Sequence, residues 1–243
     1  MKRLRNLKTQ LAANHKKGPA PTRDQLFSSE YLDSIKHLDK QDQKICLKAR
    51  EAILETFRIR DTYPFKFSAK KDDVYMYLHP HPKTKTNVIY MKTTIPWSAK
   101  RLSGFFRDPG VTFQKNIHTR EYEKVQEINE NTSVWRYQMA GKMFVADRDV
   151  GALFQYTELL DGSFIHVSAS IDHKKIPLRP KVVRASADAV GYIITPISEN
   201  EWMWEYIQQG DLKGYVPTKV INWMTFMQHD AVVDLKKWLM TQI

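Results

Sequence analysis

One cysteine, Cys46, stands in 243 residues. A lone thiol closes no internal disulfide and builds no cysteine-based zinc site, and it fits a reducing compartment. No run of about 18 apolar residues exists, which excludes a membrane-spanning helix. No apolar stretch follows the basic start, so no secretory signal is expected. The P-loop, the dinucleotide fingerprint and the nucleophile elbow are all missing. His79 and His81 form a His-x-His pair among prolines, but no further metal-ligand spacing accompanies it, so neither a metal nor another cofactor is expected. Acidic residues are missing from residues 1–23, where Lys2, Arg3, Arg5, Lys8, Lys16, Lys17 and Arg23 take seven of the net +11 charges. The remaining chain is only mildly basic. A nucleic-acid reading therefore rests on the tail alone, and no nucleic-acid partner is expected.

What is present describes one sizeable domain. Hydrophobic residues at 42 % and charged residues at 27 % suit a globular chain long enough to bury a large core. Residues 1–23 end in Gly18-Pro19-Ala20-Pro21 and read as a flexible basic extension, with the domain over 24–243. Each cation of the extension would gain about 1 kcal/mol near an anionic membrane. The extension also fits a mitochondrial presequence, with Leu4, Leu7 and Leu11 at helical spacing. Otherwise the expected location is cytoplasmic, peripheral at membranes.

Apolar periodicity predicts a helix from a Thr22 cap through Leu26, Phe27, Tyr31, Leu32 and Ile35, and another over 40–57. Strand alternation begins near Tyr63 and continues through 74–78 and 87–94. Ser98 is placed to cap a short helix carrying Leu102, Phe105 and Phe106. Strands follow near 117–129, 132–141, 149–159, 163–171, 182–195 and 202–209, with Asp161-Gly162 as a hairpin turn. A long apolar helix with proline at its start closes the chain over 217–240. The layout is α+β and antiparallel.

Three markers occur in order after residue 147: Arg148-Asp149-Val150, then Val182-Val183-Arg184-Ala185, then Asp211-Leu212-Lys213-Gly214-Tyr215-Val216-Pro217 leading into Thr218-Lys219-Val220-Ile221-Asn222. Gly191-Tyr192-Ile193-Ile194-Thr195-Pro196 lies between the last two. Their order and spacing resemble the START domain, the steroidogenic acute regulatory related lipid-transfer domain, from about residue 62 to the C-terminus. The resemblance implies a helix-grip fold: a curved antiparallel sheet of about nine strands wrapped around a long C-terminal helix. It implies a monomer that carries one phospholipid, sterol or sphingolipid between membranes and is not an enzyme. Some family members bury an acid and an arginine in the cavity; the matching positions here are Trp135 and Phe154, so that pair is absent. An aromatic cage for choline would use Trp135, but Val150 and Asp188 occupy its other positions.

A carrier must offset about 0.8 kcal/mol for each CH₂ drawn out of a bilayer, which calls for an apolar cavity and a lid. With Val150 inward, Ala152, Phe154 and Tyr156 are inward too, and Trp135 and Tyr137 form a matching set on the preceding strand. On the final helix, Ile221, Met224 and Met227 belong to an apolar surface broader than one stripe. An ordinary packed core gives the same alternation. The loop after residue 172 sets Ile176 and Leu178, both expected to be exposed, among Lys174, Lys175, Arg179 and Lys181, a composition suited to transient docking on an anionic bilayer. Two other readings stay open here: an enzyme on the same scaffold using Asp188, Glu158 or His166, and a lipid sensor joined to a partner.

Overall fold

The computed structural model describes residues 18–116, 118–141 and 145–241. Most of the basic extension thus lies outside the described residues. Gly18 is described, and its carbonyl accepts a hydrogen bond from Arg60 Nη2 at 2.7 Å.

The expected first helix is two short ones, α1 (Arg23–Leu26) and α2 (Ser29–Ser34). Thr22 and Gln25 form a reciprocal capping box at α1, and Ser28 starts a new cap by accepting from the Tyr31 amide. A second side-chain cap so soon after the first ends the helix before it can propagate. Next comes α3 (Lys40–Thr62), capped by Asp39. Strands β1 (Lys66–Lys71), β2 (Val74–Pro80) and β3 (Asn87–Ile95) follow, then α4 (Ala99–Arg107) and α5 (Pro109–Lys115). Ser98 occupies the N-cap position of α4, but its side chain makes no capping bond. The remaining strands are β4 (Thr119–Asn129), β5 (Thr132–Met139), β6 (Asp147–Glu158), β7 (Phe164–Ser170), β8 (Val182–Arg184), β9 (Ser186–Ser198) and β10 (Glu201–Asp211). Helix α6 (Thr218–Met240) closes the domain.

Nine strands run in the order β1-β2-β3-β10-β9-β7-β6-β5-β4, antiparallel throughout, and β8 adds a short parallel pairing to β6. The expected strand over 182–195 is therefore two strands. Alternation gives the sheet two apolar faces. Val134, Leu153, Ile165, Val167, Ile193 and Ile207 point outward to a cluster with Ile45, Ala49, Ile53, Phe57 and Ile59 of α3. Each larger side chain buried there contributes roughly 1.5–3 kcal/mol. Beneath α3 the buried Arg60 pairs with Glu205 of β10 at 3.5 Å, and Tyr90 of β3 donates to the same carboxylate at 2.6 Å.

The opposite face holds Met76, Met91, Trp202, Trp204 and Tyr206, packed with Leu102 and Phe106 of α4 and with Val232, Val233, Leu235 and Leu239 of α6. Three polar tethers hold the C-terminal half of α6. His229 Nε2 lies 3.1 Å from the Val74 carbonyl, Lys71 pairs with Asp230 at 2.6 Å, and Lys236 donates to Thr93 Oγ1 at 2.6 Å.

The sequence markers meet in one place. Asp149, 1 % exposed, accepts from Arg184 Nε at 2.8 Å and from Arg136 Nε at 3.2 Å. Its neighbour Arg148 binds the carbonyls of Leu212 and Lys213, both at 3.3 Å. Successive strand residues point to opposite faces, so the two neighbours serve different partners. This knot joins the start of β6 to β8 and to the loop that leads into α6.

Candidate functional site

Between the inner sheet face and α6, along residues 221–235, lies a hollow of about 180 Å³. One buried water needs only about 10–15 Å³ on this scale, so the region is not solidly packed. Cross-strand register builds its wall. Phe154, Ser168 and Val190 pair across β6, β7 and β9, and His166, Tyr192 and Tyr206 pair across β7, β9 and β10. Helix α6 covers this wall with Ile221, Met224, Thr225, Gln228, Ala231, Val232 and Leu235. Phe113 of α5 closes one side, with ring centroids 4.8 Å from Tyr137 and 5.5 Å from Phe154.

Five of the nine expected cavity residues line the hollow: Tyr137, Val150, Phe154, Ile221 and Met224. The other four lie beside it. Trp135 packs against Phe113 with its indole N–H on Ser133 Oγ at 2.8 Å. Ala152 is buried in the same cluster, between Val150 and Phe154 on β6. Tyr156 shares their face, but its ring packs on Phe164 and its hydroxyl donates to Glu158 at 3.0 Å. Met227 is half-buried on α6 and does not reach the hollow. Sequence reasoning missed Ser168, Val190, Tyr192, Tyr206 and Gln208. The alternation of Tyr192 with Ile193 and of Trp204 with Glu205 carried the signal, but the register that sets β9 and β10 beside β7 did not.

The interior is electrically neutral at pH 7. Burial lowers the His166 pKa to about 4 and pushes the phenols of Tyr137, Tyr192 and Tyr206 upward. Charged side chains stay at the edge: Lys115 is exposed, with its ammonium 4.6 Å from the Trp238 ring, and Asp211 pairs with Lys213 at 2.8 Å. Of the three residues weighed as acid–base groups, only His166 lines the hollow. Glu158 is exposed, and Asp188 faces His81 at 3.3 Å outside it. Among the described residues no three histidine, cysteine or carboxylate side chains are grouped to hold a metal.

The basic loop needs one correction. Ile176 is 3 % exposed and packs into the outer cluster, with its methyls facing Gly151. A buried side chain cannot insert into a bilayer. Leu178 is 74 % exposed, and Lys174, Lys175, Arg179 and Lys181 are exposed around it, although Arg179 is paired with Glu121 at 2.9 Å. Val183 beside this loop lies near Gly214, so the loop before α6, with Tyr215 87 % exposed, leaves the same knot.

The chain matches the family model described as the START domain over residues 72–241. Among solved structures it is similar to human StAR-related lipid transfer protein 5, with a TM-score of 0.74 at 16 % identity over 82 % of this chain and 98 % of that one. Human STARD10 gives a TM-score of 0.67 at 20 % identity, covering 84 % and 81 %. The STAR-related lipid transfer protein of Xanthomonas axonopodis (fragment 25–204) gives 0.63 at 15 % identity, covering 72 % and 98 %. No curated protein matches the chain by sequence.

Proposed function

Because this chain belongs to the START-domain family, we propose that it is a lipid carrier, holding one lipid in the hollow under α6 and moving it between membranes. The observation that carries the reading is the unfilled, neutral space between the sheet and the last helix. Moving a long acyl chain or ring system from a bilayer into water costs on the order of 10 kcal/mol, and an apolar hollow removes most of that cost. Helix α6 roofs the hollow from Ile221 to Leu235 and is the natural lid. Docking is assigned to Lys174, Lys175, Leu178 and Lys181, with Tyr215 beside them and Arg179 held partly by Glu121.

The test is extraction. Purified protein incubated with vesicles of phosphatidylcholine containing a sterol, a diacylglycerol and a ceramide, then separated from them, is expected to carry one lipid per chain by native mass spectrometry. Ala231→Phe, which fills the hollow from α6, is expected to lower loading at least several-fold with an unchanged circular dichroism spectrum. Lipid-free protein after exposure to every mixture would overturn the proposal.

A further inference from the structure

We infer that His166 and Ser168 form a hydrogen-bonding station for an uncharged hydroxyl group, so that the hollow selects a lipid alcohol over a phospholipid. The inference rests on the carrier reading and names the class of cargo for the same hollow. Among the described residues, several buried side-chain polar atoms have no hydrogen-bond partner within the protein, and of these only His166 Nε2 and Ser168 Oγ belong to residues lining the hollow. The two residues are 3 % and 4 % exposed. Native proteins rarely bury such atoms unpaired, and a pair of them on residues that line a cavity points to a ligand that completes them.

Their placement supports one shared ligand atom or group. His166 and Ser168 are two apart on β7, so both project to the same face about 7 Å apart along the strand. The imidazole is already fixed: it stacks on Phe154 at 5.4 Å and on Tyr192 at 6.3 Å between ring centroids. Two nearby hydroxyls are committed elsewhere. The Tyr206 hydroxyl donates to Gln208 at 2.6 Å, and Thr225 Oγ1 donates to the Ile221 carbonyl at 3.0 Å. A neutral imidazole offers one donor and one acceptor, and a serine hydroxyl offers both, which matches an alcohol.

Charge separates the alternatives. Lys115 and Asp211 stand at the edge of the hollow, and its inner wall presents neutral groups. A phosphate drawn to the depth of His166 would meet no cation, and an unpaired buried charge is strongly disfavoured. A hydroxyl is satisfied there without charge. The burial that keeps His166 neutral favours the same choice.

The experiment offers the full chain phosphatidylcholine vesicles doped with equal amounts of a sterol and its O-methyl ether, and separately of a diacylglycerol and its ether. Native mass spectrometry reads what is loaded. The wild-type protein is expected to prefer each alcohol over its ether by about tenfold, the worth of one to two hydrogen bonds. His166→Phe/Ser168→Ala is expected to erase the preference, bringing the loaded alcohol-to-ether ratio to about one, and His166→Gln to retain most of it. Ser168→Ala alone, which removes one oxygen, should reduce the preference several-fold and keeps the test readable if the double variant is unstable. Wild-type protein that loads phosphatidylcholine or the ethers as well as the alcohols would overturn this inference and leave the carrier reading standing. Wild-type protein that loads nothing would overturn both.

Discussion

At the scale of single residues, two buried groups are expected to dominate the response to mutation and to acid. Asp149 holds Arg136 and Arg184 together, and Arg136 is itself buried. Asp149→Ala removes the buried carboxylate shared by two guanidinium groups at the junction of β6, β8 and the loop before α6, leaving Arg136 its Glu121 pair at 3.1 Å, and should cost about 3 kcal/mol in urea unfolding. A loss below about 1 kcal/mol would mean that the knot is solvent-relaxed and does not fix the rim of the hollow. His166 acts through pH. Its folded pKa of about 4 lies below the unfolded value of 6.5, so the unfolded chain takes up the proton first on acidification. Its contribution is complete above pH 6.5, falls between pH 6.5 and about 4, and amounts to about 3 kcal/mol in total. The tyrosines around it stay neutral over that range and add nothing to the slope. The stability of wild type relative to His166→Gln should therefore fall as the pH drops from 7.5 to 4.5. Parallel pH profiles would show that the imidazole is solvated and not buried in an apolar wall.

At the scale of elements, what the sequence revealed depended on whether a signal was local. Alternation in β6 placed Val150 and Phe154 on the inner face, and the period of α3 marked Ile45, Ala49, Ile53 and Phe57, because both patterns lie within one element. Helix α5 was missed although its start signal is local: Pro109 sits in the first turn and Asp108 accepts from the Gly110 amide at 2.9 Å, yet Pro-Gly also reads as a turn. The break between β8 and β9 had no local signal, since β8 is held to β6 by the long-range Arg184–Asp149 pair. The fate of Ile176 was likewise illegible, because the space it fills is left by Gly151 on a strand more than twenty residues earlier. That packing predicts opposite behaviour for two neighbours in one loop. Ile176→Ala should destabilise the domain by about 2–4 kcal/mol through a buried cavity. Leu178→Ser, at a site 74 % exposed, should change stability by less than about 0.5 kcal/mol. Thermal melts giving the reverse order would show that the loop is turned over.

At the scale of the whole molecule, the proposed lipid exchange would bring the mouth of the hollow to a bilayer, and the knot at Arg148 gives that proposed contact a defined place. It ties the Leu212 and Lys213 carbonyls, and so the rim of the hollow, to the strand end from which the basic loop departs. Leu178 and Tyr215 are the exposed large side chains of these two loops. Lys174, Lys175 and Lys181 can attract an anionic surface by up to about 3 kcal/mol together at low salt, whereas Arg179 contributes less because Glu121 already compensates it at 2.9 Å. Shallow burial of Leu178 adds roughly 1–2 kcal/mol more and is indifferent to salt. A sum of this size permits binding and release within one cycle, which a shuttle needs. Lys174→Glu/Lys175→Glu/Lys181→Glu should therefore slow transfer from anionic vesicles by about tenfold or more at low salt, and the defect should shrink as salt shortens the range of the attraction. Transfer from neutral vesicles should barely change, and Leu178→Ser should slow both kinds alike. If the triple variant slowed transfer equally from neutral and anionic vesicles, the lysines would be acting on the fold or the lid, and this loop would lose its assignment as the docking face.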